Sequence, residues 1–134
     1  MPIDADVLVP DRVVVLKLTG PLAVADYDAM ADQLLADSRV ESGFGLLVDG
    51  RVLDPLPTVE ELRALVGVAR RLRIRGVEPF ALVADNDLQF VVGQLFATLA
   101  GAVINLDARV FRSMDTAMDW LRAMTTKRRS DAGG

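Results

Sequence analysis

Along this chain the apolar positions switch between a strand period of two and a helical period near 3.6, and each switch marks an element. Residues 6–18 read as two short strands broken at Pro10 and Asp11, because proline cannot donate to a sheet ladder and favours a turn. After Thr19, Gly20 and Pro21, the residues Val24, Tyr27, Met30 and Leu34 recur at helical spacing, with Asp26, Asp28 and Asp32 on the opposite face. An amphipathic helix is predicted there, and its acidic first turn suits the positive end of a helix dipole. Phe44 to Val48 is a short, wholly apolar run that stops at Asp49 and Gly50, the pattern of a strand buried on both faces in mid-sheet.

The connection that follows, RVLDPLP, leads to Thr58, and Glu61 stands three residues later at the spacing of a capping box. Leu62, Leu65, Val66, Ala69 and Leu72 carry this helix toward Gly76, where Arg70, Arg71, Arg73 and Arg75 oppose the negative dipole end. Pro79 to Val83 predicts a strand, and Asp85, Asn86 and Asp87 supply caps for a helix from about Leu88 to Ala100. Apolar residues cover more than one face of that helix, so a single sheet face cannot bury them all. Self-association into a homodimer, or a hydrophobic ligand, is expected to cover Phe90, Val91, Leu95 and Phe96. Val110 and Phe111 end a last strand, Ser113 offers a cap, and Met114, Ala117, Met118 and Leu121 repeat at helical spacing beside Trp120.

Strands alternating with helices imply βαβ units, hence a single α/β domain with about five strands in a mixed, mostly parallel sheet and about four helices. The opening strand pair adds an antiparallel edge. With 134 residues the chain fits one core, and the domain is expected over 1–124, followed by a disordered tail over 125–134 where no apolar pattern remains.

Composition removes most catalytic chemistry. The chain has no Cys and no His, which excludes thiol nucleophiles, imidazole bases, disulfides and thiolate or imidazole metal sites. No catalytic constellation stands out among the Ser, Thr, Tyr, Lys and carboxylates that remain, so no enzyme is expected. Net charge is −4, which argues against nonspecific nucleic-acid binding. Asp4, Asp6 and Asp11 occupy the place where a secretory leader needs positive charge, so a cytoplasmic location is expected. Leu88 to Leu106 holds no charge and is nearly long enough to span a bilayer. Gln89, Gln94, Thr98 and Asn105 interrupt it without flanking basic clusters, so no transmembrane segment is expected.

The succession of an opening strand pair, DYDAMADQLL, GLLVDGRVL, a Thr-capped helix, PFALVAD, an apolar helix and ARVFRSMDTAMDWL resembles the SpoIIAA-like family over residues 5–123. That family belongs to the STAS domains of sulphate transporters and anti-sigma factor antagonists, and its fold is also compared with the lipid-binding Sec14 domain. The most specific piece is the ending, Arg109, Val110 and Phe111, then Ala117, Met118, Asp119, Trp120 and Leu121. The resemblance implies a non-enzymatic regulatory module that docks a protein partner. In anti-sigma factor antagonists a strand ending in Asp is followed about nine residues later by a phosphorylatable Ser at a helix start. Asp49 and Thr58 keep that spacing, although Asp54, Pro55, Leu56 and Pro57 stand where that family has an Asp-Ser-Ser-Gly type sequence.

Asp49, Asp54, Thr58 and Glu61 are therefore the partner-binding or phosphoacceptor candidates, since a phosphate at a helix N-terminus would meet free N–H groups. The Sec14 comparison implies the alternative, a small hydrophobic ligand or lipid. Arg63, Arg70 and Arg71 are candidates for an anion patch, with Arg63 and Arg70 on one helix face. The carboxylates lack calcium-loop spacing, so neither a metal nor a cofactor is expected.

Overall fold

A computed structural model describes residues 3–133, with side chains through Lys127. Strands β1 (Ile3–Leu8), β2 (Val13–Thr19), β3 (Gly45–Val52), β4 (Phe80–Val83) and β5 (Ala108–Phe111) form one sheet in that spatial order. β1 pairs antiparallel with β2, and every other neighbour is parallel. Helices α1 (Val24–Ala36), α2 (Val59–Ile74) and α3 (Asp87–Ile104) follow β2, β3 and β4, and α4 (Met114–Gly133) follows β5.

Alternation along the strands sorts the core into two layers. Leu16, Leu46 and Phe80 point to the face covered by α1, α2 and α3, where they join Met30, Leu62 and Phe96. Val13, Leu47, Ala81 and Val83 point the other way and meet Ala117 and Leu121 of α4. β3 holds the central position, which explains why both of its faces are apolar.

Several boundaries differ from the expected ones, among them the start of β1, which lies at Ile3 and not at Asp6. β3 continues past Asp49 to Val52, because the charge of Asp49 is neutralised in place by Arg51. α3 runs on to Ile104, where Asn105 adopts the left-handed conformation at φ 54° and ends it. The domain boundary expected at residue 124 falls inside α4, which continues to Gly133. Thr125 is buried, and its hydroxyl donates to the Arg122 carbonyl at 3.2 Å, so a polar residue serves the core without an apolar signature. The rest of the tail expected from 125, namely side chains beyond Lys127 and residue Gly134, lies outside the described residues.

Candidate functional site

Between the sheet and the three helices on its first face lies an apolar cavity of about 130 Å³. Its floor is Leu16 and Leu18 of β2, Leu46 and Val48 of β3, and Phe80 and Leu82 of β4. The two-residue spacing within each pair sends both side chains to the same face. Met30 of α1, Leu62, Leu65 and Ala69 of α2, and Val92, Gly93 and Phe96 of α3 form the roof. Leu53, Leu56 and Pro57, on the connection between β3 and α2, also line it. No Asp, Glu, Lys or Arg contributes to the wall.

Two polar side chains break this apolar lining, Tyr27 and Gln89. Gln89 Nε2 donates to the Arg51 carbonyl at 2.9 Å, and its Oε1 accepts the N–H groups of Asp85 and Asn86. The Asn86 side chain in turn accepts the Gln89 N–H, which completes a capping box at the start of α3. Tyr27 is half-buried and also borders a smaller pocket of about 30 Å³ with Leu22, Pro55 and Glu61. Burial first, then the nearby carboxylates of Glu61 and Asp26, push its hydroxyl pKa up to about 12. Opposite, the Gly20 turn presses so close to the β3–α2 connection that a Cβ there would sit 2.1 Å from the Asp54 carbonyl oxygen. Only glycine fits that approach.

The carboxylate and hydroxyl candidates are dispersed among separate roles. Asp49 is 4% exposed and shares the sheet face of Leu47 by strand parity, away from the cavity. Arg51 holds it with side-chain bonds of 2.9 and 3.0 Å. Burial pushes the Asp49 pKa up, but the bonds from Arg51, with Lys17 adding attraction, outweigh this and leave it below the ordinary carboxylate value. Thr58 and Glu61 form the reciprocal capping box that their spacing predicts, with Thr58 Oγ1 accepting the Glu61 N–H at 3.2 Å and Glu61 Oε1 accepting the Thr58 N–H at 3.0 Å. Asp54 is exposed on the connection between them.

The apolar candidates of α3 divide three ways. Phe96 is buried against the cavity, Phe90 lies under the Arg112 guanidinium at 4.5 Å, and Val91 and Leu95 face solvent. Of the arginines, Arg71 reaches across to α1 and pairs with Asp28 at 3.3 Å and with Asp32. Arg63 and Arg70 stay exposed. Among the described residues no group of three or more carboxylates could hold a metal ion. Tyr27 and Gln89 escaped the sequence reading as site residues, although the Asn86 to Gln89 spacing is itself a capping-box signal.

The distinctive ending packs as one unit. Arg109 stacks over the Trp120 ring at 5.0 Å, and Phe111 meets the same ring at 5.5 Å, which joins β5 to α4. The SpoIIAA-like family model matches residues 13–122, from β2 through this ending. No curated protein matches the chain. The crystal structure of an uncharacterized protein with a SpoIIAA-like fold from Shewanella loihica PV-4 has a TM-score of 0.62, covering 89% of this chain and 91% of that one at 19% sequence identity. A likeness at that identity speaks for the fold alone, and the fold agrees with a family match that spans most of the domain. On both grounds this chain, with its five-stranded mixed sheet and four helices, belongs to the SpoIIAA-like family.

Proposed function

We propose that the chain is a non-catalytic, STAS-like binding module that takes a small neutral hydrophobic ligand into the cavity between its sheet and α1, α2 and α3. The cavity itself carries this reading. At about 130 Å³ it approaches the engineered apolar cavity of about 150 Å³ that binds benzene, so a single ring or a short stretch of acyl chain fits. An apolar occupant that covers this lining gains about 25 cal/mol per Å² of apolar surface it removes from water. The uncharged wall selects against ionised ligands, whose desolvation nothing would offset.

Titration with toluene and with 1-hexanol, followed by thermal unfolding and native mass spectrometry, tests the reading. Both probes should raise the melting temperature, and Ala69→Leu, which fills the roof, should abolish the shift while the protein stays folded. An absence of any shift in the parent protein would remove the reading.

A regulatory reading, with Thr58 accepting a phosphate and a protein partner docking beside it, is supported by the exposure of Thr58 at the N-terminus of α2. Glu60 and Glu61 in the same turn oppose it by like-charge repulsion. Partner capture with Thr58→Ala and Thr58→Glu proteins separates the two, because a switch requires the variants to differ in the partner they retain.

A further inference from the structure

The cavity between the sheet and its three helices has a polar end and an apolar end. Each of α1, α2 and α3 follows a parallel strand, so it starts at the C-terminal edge of the sheet and runs back across it. Tyr27 falls in the first turn of α1 and Gln89 in the first turn of α3, which puts both polar side chains of the wall at that edge. Open α/β sheets present their ligand sites at the same edge. The far end is lined by Leu46 near the start of β3, Phe80 at the start of β4 and Leu72 near the end of α2. An occupant with one polar end therefore has a direction imposed on it.

The hydrogen-bonding capacity left at the polar end is donor capacity. A side-chain amide carries two N–H donors and an oxygen with two lone pairs. Gln89 Oε1 accepts the N–H groups of Asp85 and Asn86, and one Nε2 hydrogen goes to the Arg51 carbonyl. One N–H remains. The Tyr27 hydroxyl makes no hydrogen bond among the described residues. It is not sealed in either, since Arg73 Nε is the one fully enclosed side-chain nitrogen or oxygen without a partner among those residues. The hydroxyl thus opens onto free space.

That space is bounded by carboxylates. Tyr27, Leu56, Pro57 and Leu65 border both the cavity and the smaller pocket of about 30 Å³, and Glu61 lines the smaller pocket. Glu61 and Asp26 stand close enough to Tyr27 to help raise its pKa, so the phenol keeps its proton at neutral pH and serves as a donor. A carboxylate or phosphate end group would meet two negative charges there. An ammonium brings three donors and no acceptor, which leaves the Tyr27 proton unmatched, and Gln89 Oε1 is already filled.

We infer that the cavity takes a short amphiphile ending in one uncharged oxygen, a ketone, ester or alcohol, which accepts the hydrogen bond of the Tyr27 hydroxyl while the hydrocarbon tail lies toward Leu46, Leu72 and Phe80. The inference rests on the cavity being a ligand site and adds the chemistry of the end group. A hydrocarbon of the same shape displaces water from the hydroxyl without replacing the bond, and an unmatched donor is what a polar site uses to reject such an analogue.

Two probes of matched shape test it, 2-hexanone and 2-methyl-1-hexene, which differ by a carbonyl oxygen against a methylene group. Calorimetric titration should show both binding the parent protein. Tyr27→Phe should weaken 2-hexanone about 10-fold and leave 2-methyl-1-hexene within about 2-fold. The carbonyl infrared band of bound 2-hexanone should also move to higher wavenumber in Tyr27→Phe, a signature that a merely structural tyrosine would not give. Equal changes for the two probes, or no change for either, overturn the inference while leaving the cavity as a hydrocarbon site. Tighter binding of n-hexylammonium than of 2-hexanone also overturns it, because the end group would then be a cation beside Glu61. Failure of both probes to bind the parent removes the cavity reading itself, so the two failures are distinguishable.

Discussion

Gln89 Nε2 on α3 donates to the Arg51 carbonyl at the end of β3, 2.9 Å away, and joins two segments 38 residues apart in sequence. The same side chain caps its own helix through Oε1, so one residue fastens the first turn of α3 to the strand that precedes the cavity-lining connection. The two jobs can be separated chemically.

Gln89→Glu keeps the acceptor and removes the donor. The bond to Arg51 is lost, with a stability decrease of about 1 kcal/mol. Hydrogen exchange across residues 52–57 should speed up, because the connection loses a tether without losing its helix cap. Gln89→Ala removes both functions and should cost about 2 kcal/mol. Equal exchange rates in Gln89→Glu and the parent would show that the tether holds nothing in place.

Asp49 carries the acid sensitivity of the β3 end. Its folded pKa lies below the ordinary value, so its contribution is present above about pH 4 and is lost as pH falls through the folded value. Arg51→Leu leaves a carboxylate that is 4% exposed with its main partner gone. Removing one partner of a fully buried pair costs about 3–5 kcal/mol, and the 42% exposure of the Arg51 side chain reduces this to about 1–3 kcal/mol at pH 7. The pH slope should also change sign, since burial without Arg51 raises the Asp49 pKa and acidification then neutralises a buried charge. Urea unfolding at pH 7 and pH 5 checks both points, and Asp49→Asn added to Arg51→Leu should remove the difference between the two pH values.

Local rules made much of the fold readable. Period changes located every strand and helix, and the Thr58 to Glu61 spacing foretold a capping box that forms in full. Buried charge and buried hydroxyl escaped the same rules. Asp49 and Thr125 look like terminators, but one is neutralised by a residue two positions on and the other bonds back to its own helix. The cavity was not readable, because Leu16, Leu46 and Phe80 look the same lining a gap as filling a core. Whether they touch the roof depends on small residues such as Ala69 and Gly93, whose effect exists only once helices and sheet are assembled. Likewise the apolar character of α3 was plain, while the stripe facing the sheet depended on tertiary packing that placed Phe96 inward and Val91 outward.

Thr58 gives a direct contrast between a structural and a regulatory hydroxyl. Thr58→Ala removes one half of the capping box and should lower stability by about 1 kcal/mol. Thr58→Asp preserves an N-cap acceptor and should match the parent protein in thermal unfolding. A much larger loss in Thr58→Asp would reveal repulsion from Glu60 and Glu61 at the site, the same repulsion that a phosphate would meet.

Tyr27 is the one tyrosine of the chain, so phenolate absorbance reads this side chain alone. In the folded protein its midpoint should lie near 12, and in denaturant it should fall to about 10. Because the folded pKa is raised, the corresponding stabilisation is present in full below pH 10 and disappears between pH 10 and pH 12. Two pKa units correspond to about 2.7 kcal/mol, and partial exposure of the ring reduces the usable amount to about 2 kcal/mol or less. Tyr27→Phe should flatten stability across that window while leaving it unchanged near pH 7. Glu61→Gln retains a capping-box acceptor and removes the larger of the two carboxylate effects, so the folded midpoint should move down without reaching 10. Burial, the larger cause, remains in that variant, and a midpoint that dropped all the way to the denatured value would mean that charge alone, and not the enclosed position of Tyr27 at the cavity wall, holds its proton.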